Sequence, residues 1–469
     1  MPSDNSHTLE KGAIGLWGVL IPGLAQVAPA FNLFFTTGVM ASLAGASVPL
    51  IFLISMVAVL ATASSLAQFA GVYPSSGSFL TYIAKSIGAK TATSVGVITI
   101  LGYIIAFAGI YIFVGSYIVA NVLGNPHIWG ITQIVTIVYG ALVVAPVVIG
   151  LKFGVRVSYA LYIFEAVLLV VLSIAFLVHG GPQGVSLTPF KWPGGSKSTL
   201  LAFSLAILAF GGFEAAAPLA EETRDPKKNV PIALMSTVVV SGIIYVFGSW
   251  ALVTAFGQSH VSLLAADPNP FHTAAAKYIS VLAPLVTWIF LTSVTSSYVA
   301  ANTQTARVIF GGARSGLWSR GLSNISPRFR TPAAAAIAFV APSIVIGVAS
   351  TAFTTPGTAS GFLGTYGILG VIIMYIVTNF ALIVHWVRID KNAGSRHFFT
   401  RVIVPIFGIA ILAIPVYGDL QPGQAAPYKY LPYLTVALVL VGVVYTMVLA
   451  LRKPEIIRDA PSLLEGAEL

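Results

Sequence analysis

The chain has 469 residues, of which 57% are hydrophobic and only 8% are charged, with a formal net charge of +10 and no cysteine. A soluble domain carries about 25% charged residues, so this composition excludes a soluble globular protein and makes lipid the solvent for most of the chain. The missing cysteines exclude disulfides, thiolate metal sites and cysteine nucleophiles. The polar residues 1–11 predict no cleavable signal peptide.

Continuous apolar stretches recur along the chain and predict membrane-spanning helices. A membrane β-barrel would alternate apolar and polar residues over strands of about ten residues. These stretches are unbroken and near the ~20 residues that carry a helix across the hydrocarbon core, so the sequence predicts an all-α polytopic membrane protein. About twelve spans are predicted, at 14–41, 47–72, 94–121, 128–150, 157–178, 199–220, 230–256, 280–310, 333–352, 359–387, 401–418 and 431–451.

The basic residues predict the orientation of the chain. An even number of spans puts both termini on one side of the membrane, and 20 of the 24 Lys and Arg residues fall on that side, against 4 in the opposite loops. Cytoplasmic loops carry the Lys and Arg excess, so we expect cytoplasmic termini in a protein of the cytoplasmic membrane. The basic stretch from Arg307 to Arg330 is interpreted as part of this topology signal, not as a ligand-binding patch.

The first span is interrupted near its middle. Pro29 lacks an amide hydrogen and clashes with the preceding turn of a helix, and its neighbours are small. A spanning helix must satisfy its own backbone hydrogen bonds, so such a break survives only against protein or a wet cavity. The predicted binding residues at this break are Gln26, Val27, Ala28, Pro29 and Ala30.

The third and fifth spans carry further candidates. Tyr103, Phe107 and Tyr111 recur at four-residue intervals and share one helix face, which is either core packing or one wall of a cavity. Glu165 is one of two acidic residues inside the predicted spans. An ionisable group at membrane depth is a functional candidate by default, and the alternative for Glu165 is a structural, hydrogen-bonded role.

The sixth span is interrupted at Phe210-Gly211-Gly212-Phe213, and Glu214 follows at once. Two adjacent glycines weaken a helix. Glu214 is the second acidic residue at membrane depth. Because it adjoins the break, we expect Glu214 first, and Glu165 second, to take up a proton and release it when the conformation changes. The alternative for each is a protonated, hydrogen-bonded structural residue.

The eighth span is rich in hydroxyl groups. These groups either line a pathway or coordinate sodium, or they make ordinary hydrogen bonds between helices. The residues are Thr292, Ser293, Thr295, Ser296, Ser297 and Tyr298.

The breaks in the first and sixth spans occupy matching positions if spans one to five and six to ten form two repeats. Paired interrupted helices mark the solute sites of secondary transporters that are built on inverted repeats. A broken helix offers amide N–H groups, which favour a carboxylate, at one end and carbonyls, which favour an ammonium, at the other. This pattern predicts a secondary transporter of a small solute such as an amino acid.

Three segments resemble the amino acid–polyamine–organocation superfamily of permeases. Ala209–Pro231, reading AFGGFEAAAPLAEETRDPKKNVP, looks like the family's sixth helix and the loop after it. Ala306–Pro332, reading ARVIFGGARSGLWSRGLSNISPRFRTP, is similar to its cytoplasmic loop after helix eight, with Ser315 and Ser319 replacing an acidic residue and a proline. Tyr73–Phe79, reading YPSSGSF, is like the turn after helix two.

The resemblance implies a five-plus-five inverted-repeat core in which helices one and six are unwound, followed by two further helices. It matches Leu208 to a gate aromatic of the sixth helix, with Phe210 nearby as a substitute, Tyr298 to an aromatic pocket wall, and Glu214 to a proton-linked gate of antiporters. The predicted organisation is a cytoplasmic tail at 1–12, a core at 13–390 with repeats near 13–178 and 199–390, helices at 400–452 and a second cytoplasmic tail at 453–469.

We therefore expect a permease that carries amino acids or related amines by alternating access, coupled to protons or working by exchange. Phe210, Phe213 and Tyr298, with Tyr103 or Tyr111, are expected to shape its pocket. The alternatives are sodium-coupled symport through hydroxyls such as Ser293 and Ser296, transport of polyamines or organic cations, and an ion channel. The dispersed histidines predict no metal site, and no enzyme activity, cofactor or nucleic-acid partner is expected.

Overall fold

The structure is a computed structural model that describes residues 9–124, 128, 130–194, 197–267, 269–388, 397–421 and 424–464. These residues form helices and loops, without a β-strand. The α-helices are α1 (Leu16–Val27), α2 (Pro29–Ala44), α3 (Val48–Val72), α4 (Phe79–Ser86), α5 (Ala89–Asn121), α6 (Ile131–Ile149), α7 (Leu151–His179), α8 (Lys197–Leu208), α9 (Pro226–Phe256), α10 (Val261–Ala266), α11 (Pro270–Tyr278), α12 (Leu285–Arg314), α13 (Ala333–Ser350), α14 (Pro356–Arg388), α15 (Val404–Asp419), α16 (Leu431–Arg452) and α17 (Pro454–Leu463).

The described chain contains 10 helical segments that are long and apolar enough to cross a membrane. One of them, Leu16–Val72, has 57 residues and holds α1, α2 and α3, which is length enough for two passes. The 30-residue helix α12 is not among the ten, and its many hydroxyl and amide side chains make it less apolar than its neighbours. The all-α polytopic membrane fold is confirmed, and the count of twelve spans stays a prediction.

Both predicted helix breaks are present. α1 ends at Val27 and α2 begins at Pro29, because Ala28 between them has a left-handed backbone with a φ of 49°. α8 ends at Leu208, and the chain resumes as a 3-10 helix over Phe213–Glu222. Gly212 precedes that helix with a φ of 103°, a conformation that favours glycine.

The centre of the bundle is formed by α5 and α14, which pack closely through glycines. A Cβ atom on Gly102 would lie 2.7 Å from the carbonyl oxygen of Gly367. Small residues of this kind let two membrane helices approach each other. In contrast, α6 and α16 expose large apolar side chains such as Leu142 and Leu440, as expected for helices that face lipid.

The predicted second cytoplasmic tail contains a helix, α17, that was not predicted from the sequence. α17 packs against α4 and α5, and the fully buried Leu464 follows it. The backbone carbonyl of Leu464 accepts hydrogen bonds from the hydroxyls of Ser75 and Thr81. Residues 1–8 and 465–469 of the two predicted tails lie outside the described residues, and the predicted division into repeats stays a prediction.

The basic stretch Arg307–Arg330, interpreted as part of the topology signal, begins on a helix and not in a loop. α12 continues to Arg314, and the guanidinium of Arg307 is fully buried, with its Nε atom 2.6 Å from Glu222 Oε2. Arg314 pairs with Glu221 at 2.7 Å. The prediction of only two acidic residues inside spans is also wrong, since the sixth span extends to Glu222 and includes Glu221. Both of these carboxyl groups are paired with an arginine of α12.

Candidate solute-binding site

The two helix breaks line one cavity of about 130 Å³. Drug-sized ligands occupy pockets of roughly 300–1,000 Å³, so this cavity suits a smaller solute. The breaks touch at Gly212, where a Cβ atom would lie only 2.6 Å from Cγ of Gln26. The cavity is lined by Gln26, Ala28, Phe31, Asn32, Tyr103, Ala106, Phe107, Ile110, Leu208, Gly211, Gly212, Val294, Ser297, Tyr298 and Ile368.

The lining of this central cavity is aromatic and uncharged. Phe31, Tyr103, Phe107 and Tyr298 all contribute to it, and the rings of Phe107 and Tyr298 meet edge to face with centroids 5.2 Å apart. Two lining atoms, Oε1 of Gln26 and the hydroxyl of Tyr298, are among the buried polar atoms of the described residues that have no hydrogen-bond partner. Aromatic faces and a free amide oxygen suit an ammonium group.

The amide end of the first break is already bonded to protein. The N–H of Ala30 donates to Oε1 of Glu165 at 3.0 Å, and the N–H of Phe31 donates to Oγ of Ser293 at 3.1 Å. Ser293 in turn donates its hydroxyl hydrogen to the same oxygen of Glu165 at 2.8 Å. The Asn32 N–H bonds the Ala28 carbonyl at 3.0 Å. With Pro29 lacking an N–H, the donors in the first turn of α2 all have partners within the chain.

The carbonyl end of the first break joins it to the second. The side-chain amide of Asn32 donates to the carbonyl of Val27 at 2.6 Å and to that of Ala209 at 3.2 Å. The hydroxyl of Tyr245 on α9 reaches the same two carbonyls, at 3.2 and 2.6 Å. Two side chains therefore hold the broken ends of both spans together at membrane depth.

Glu214 lies behind the central cavity and is separated from it by Tyr103. Its carboxyl group accepts hydrogen bonds from the hydroxyls of Tyr103 and Tyr375 and, at 3.1 Å, from the N–H of Gly212. Tyr103 also lines a second cavity of about 10 Å³, together with Glu214 and Gln304. The contact between Tyr103 and Glu214 therefore divides the two cavities.

The predicted site residues fall into two groups. Those that line the central cavity are Gln26, Ala28, Tyr103, Leu208, Gly211, Gly212 and Tyr298. Those that do not line it are Val27, Pro29, Ala30, Tyr111, Glu165, Phe210, Phe213, Glu214, Ser293 and Ser296.

Most residues of the second group pack outside the cavity, against the lining residues or the helices that carry them. Phe210 packs against Tyr245 with ring centroids 5.1 Å apart, because the turn before Gly212 directs it away from the cavity. Phe213 stacks on Tyr375 at 5.3 Å. Tyr111 stacks on the cavity residue Tyr298 at 4.2 Å, and the hydroxyl of Ser296 donates to the Ser293 carbonyl.

Several lining residues escaped the prediction from sequence. Phe31 and Asn32 directly follow the first break, whereas Ser297 belongs to the hydroxyl-rich stretch for which pathway lining was one of the alternatives. Proximity to a break was the signal that could have identified Phe31 and Asn32. Ile110 and Ile368 carried no such signal, because an apolar residue on a membrane helix faces lipid as readily as a cavity.

Comparison with known proteins identifies the family. The family model for amino acid permeases matches residues 18–458, nearly the whole chain. The chain belongs to the amino acid permease family. The expected superfamily is thereby confirmed, and the protein is a multi-pass membrane permease for amino acids or related amines, not an enzyme.

Curated relatives of this permease differ in their named solutes. The low-affinity putrescine importer PlaP of Escherichia coli (strain K12) is 27% identical over 423 residues, covering 87% of this chain and 88% of the relative. The branched-chain amino acid permease BcaP of Bacillus subtilis (strain 168) is 26% identical and covers 72% of this chain and 74% of the relative. The methylthioribose transporter of Bacillus subtilis (strain 168) is 25% identical, with coverages of 64% and 67%.

Proposed function

We propose that the chain carries a small amine or amino acid across the cytoplasmic membrane by alternating access, with the solute bound in the central cavity. One observation carries this proposal: both broken spans contribute to a single small cavity, and they touch there through Gly212 and Gln26. Discontinuous helices that meet near the middle of the membrane are typical of solute sites in secondary transporters.

The proposed coupling group is Glu214. The titratable side chains that bond its carboxyl group are Tyr103 on α5 and Tyr375 on α14. Hydrogen bonds to a carboxyl group are strongest when that group is ionised. Proton uptake by Glu214 therefore loosens its contact with Tyr103 and opens the division between the two cavities, which couples proton movement to the passage of the solute.

Uptake into proteoliposomes tests this role. Glu214→Gln keeps the size of the side chain and removes its ionisation, so uptake of a labelled solute should lose its dependence on pH. Asp419→Asn is the matched control, because Asp419 is an acidic residue at the end of α15 that lines neither of the two cavities. Unchanged pH dependence in Glu214→Gln would remove this residue from coupling, and uptake that requires a sodium gradient would favour sodium symport.

We also propose cytoplasmic termini, on the strength of the 20 to 4 division of basic residues. The chain has no cysteine, so a single introduced cysteine reports its own location. Ser462→Cys near the C-terminus should react with an impermeant maleimide only in inside-out vesicles. Ser259→Cys, in the exposed loop after α9, should react only in right-side-out vesicles. The reverse pattern would overturn this orientation.

A further inference from the structure

The broken spans share an arrangement that bears on solute chemistry: a glutamate of the chain bonds the amide end of each break. In the first break, the N–H of Ala30 donates to Glu165. In the second, the N–H of Gly212 donates to Glu214. Free amides at a helix N-terminus are a ready anion site, and here the protein's own carboxyl groups fill that place twice.

Glu165 is built into its position. It is fully buried on α7, and its Oε1 atom accepts hydrogen bonds from both Ala30 and Ser293. Its Oε2 atom is buried without a partner. The Glu165 carboxyl group accepts both hydrogen bonds through one oxygen, so it already fills the amide end of the first break and leaves no free N–H there for the acid group of a solute.

The central cavity offers no positively charged side chain to a carboxylate. Its lining contains no lysine, arginine or histidine, and a buried ion without a partner is strongly disfavoured. The faces of Phe31, Phe107 and Tyr298 carry negative partial charge, which attracts cations and repels anions. The two unpartnered polar atoms of the lining, Oε1 of Gln26 and the hydroxyl oxygen of Tyr298, can both accept a hydrogen bond from an ammonium group.

We infer that this permease selects organic amines that lack a carboxylate, and that Glu165 and Glu214 stand where the acid group of an amino acid would bind. The ammonium group of the solute contacts the aromatic faces and Gln26. This inference rests on the proposed function, since it concerns the solute of the same cavity. An amine without a carboxylate differs from the zwitterionic amino acid that the paired breaks favour when only the sequence is considered.

Matched pairs of solutes test the inference without any mutation. Putrescine and ornithine, cadaverine and lysine, and isobutylamine and valine each differ only by the carboxylate. Competition against the uptake of labelled putrescine by the full-length protein in proteoliposomes ranks each pair. In every pair the amine should compete at a concentration at least about tenfold lower than the amino acid does.

Amino acid amides control for the size of the solute, because their carboxamide is similar in size to the carboxylate but carries no negative charge. Valinamide should compete nearer to isobutylamine than to valine. If valinamide is rejected as strongly as valine, cavity size rather than charge discriminates, and the inference is overturned. Equal competition by the two members of the pairs also overturns it while leaving the permease proposal intact. Absence of putrescine uptake and of binding by any of the six solutes overturns both.

The part played by Glu165 is tested with Glu165→Gln. The glutamine oxygen can still accept hydrogen bonds from Ala30 and Ser293, so the variant keeps the local geometry and replaces the unpartnered Oε2 by an amide nitrogen that can donate to an acid group. The preference for amine over amino acid should fall several-fold, whereas Asp419→Asn should leave that ratio unchanged. An unaltered ratio in Glu165→Gln overturns the role of this residue. If the variant does not fold, the wild-type pairs still decide the solute class.

Discussion

The two sides of the central cavity are closed by different chemistry. The terminus side, on which residue 9 and α17 lie, is closed by two ion pairs: the fully buried pair of Arg307 with Glu222, and the partly buried pair of Arg314 with Glu221. Glu221 also accepts hydrogen bonds from the N–H and hydroxyl of Ser76, at 3.0 and 2.8 Å, which ties the turn after α3 to the ends of the sixth span and α12.

The opposite side is closed by aromatic rings. Phe290 lies at the centre of this cluster, with ring centroids 4.1 Å from Tyr117, 5.6 Å from Phe31 and 6.1 Å from Phe113. Phe35 extends the cluster outward by stacking on Phe31 at 5.8 Å, and it is 48% exposed.

The two kinds of closure predict different sensitivities to single substitutions. A buried ion pair is satisfied only by its own partner, so removing one member leaves an uncompensated charge. An aromatic cluster shares its packing energy among several neighbours, so removing one ring removes only a fraction of it. We therefore expect the terminus side to be the more sensitive to single substitutions.

The largest effect is expected for Arg307→Ala. It leaves the Glu222 carboxyl group buried without its partner, which costs about 3–5 kcal/mol, and the folded yield in mild detergent should fall sharply in size-exclusion chromatography. The double variant Arg307→Met with Glu222→Leu replaces the pair by apolar groups and should recover much of the folded yield. A single variant as stable as the wild type would contradict the comparison.

A smaller effect is expected for Phe290→Leu on the opposite side. The substitution nearly conserves volume and removes the ring contacts, which are worth about 0.5–1.5 kcal/mol beyond area burial. We expect a modest loss of thermal stability and faster release of bound solute toward that side. Phe380→Leu on α14 is the control, since Phe380 is 50% exposed. A loss of folded yield as large as that of Arg307→Ala would abolish the proposed asymmetry.

The smallest effect is expected for Ser75→Ala, which tests how α17 is held on the terminus side. It removes one hydrogen bond to the carbonyl of Leu464, worth about 0.5–1.5 kcal/mol, while Thr81 keeps that carbonyl partnered at 3.2 Å. Amide hydrogen exchange in α17 should become several-fold faster, with uptake largely kept. Ser42→Ala is the control, because the exposed Ser42 bonds only its own helix, at Val39. Unchanged exchange would show that α17 is held by its apolar contacts alone.

Part of the fold followed from sequence because its causes are local. Long apolar runs predicted the membrane helices, and their ends lie within a few residues of the predicted ones. Pro29 predicted the first break because it has no N–H to give. Gly211 and Gly212 predicted the second because two adjacent glycines weaken a helix, and the structure gives Gly212 a positive φ there. The family motif likewise needs only the order of residues along the chain.

The side chains that contact those breaks became known only from the tertiary structure. Ala30 and Glu165 are 135 residues apart in sequence, and no local pattern reports that the carboxyl group of one fills the amide end formed at the other. The same holds for Arg307, which looks like a loop charge until its partner Glu222 is placed beside it. The positions where helices form and break could be predicted from the sequence, because they depend on residues that are neighbours along the chain. The chemistry that the cavity presents was settled only by packing, because partners for buried polar groups come from distant parts of the chain.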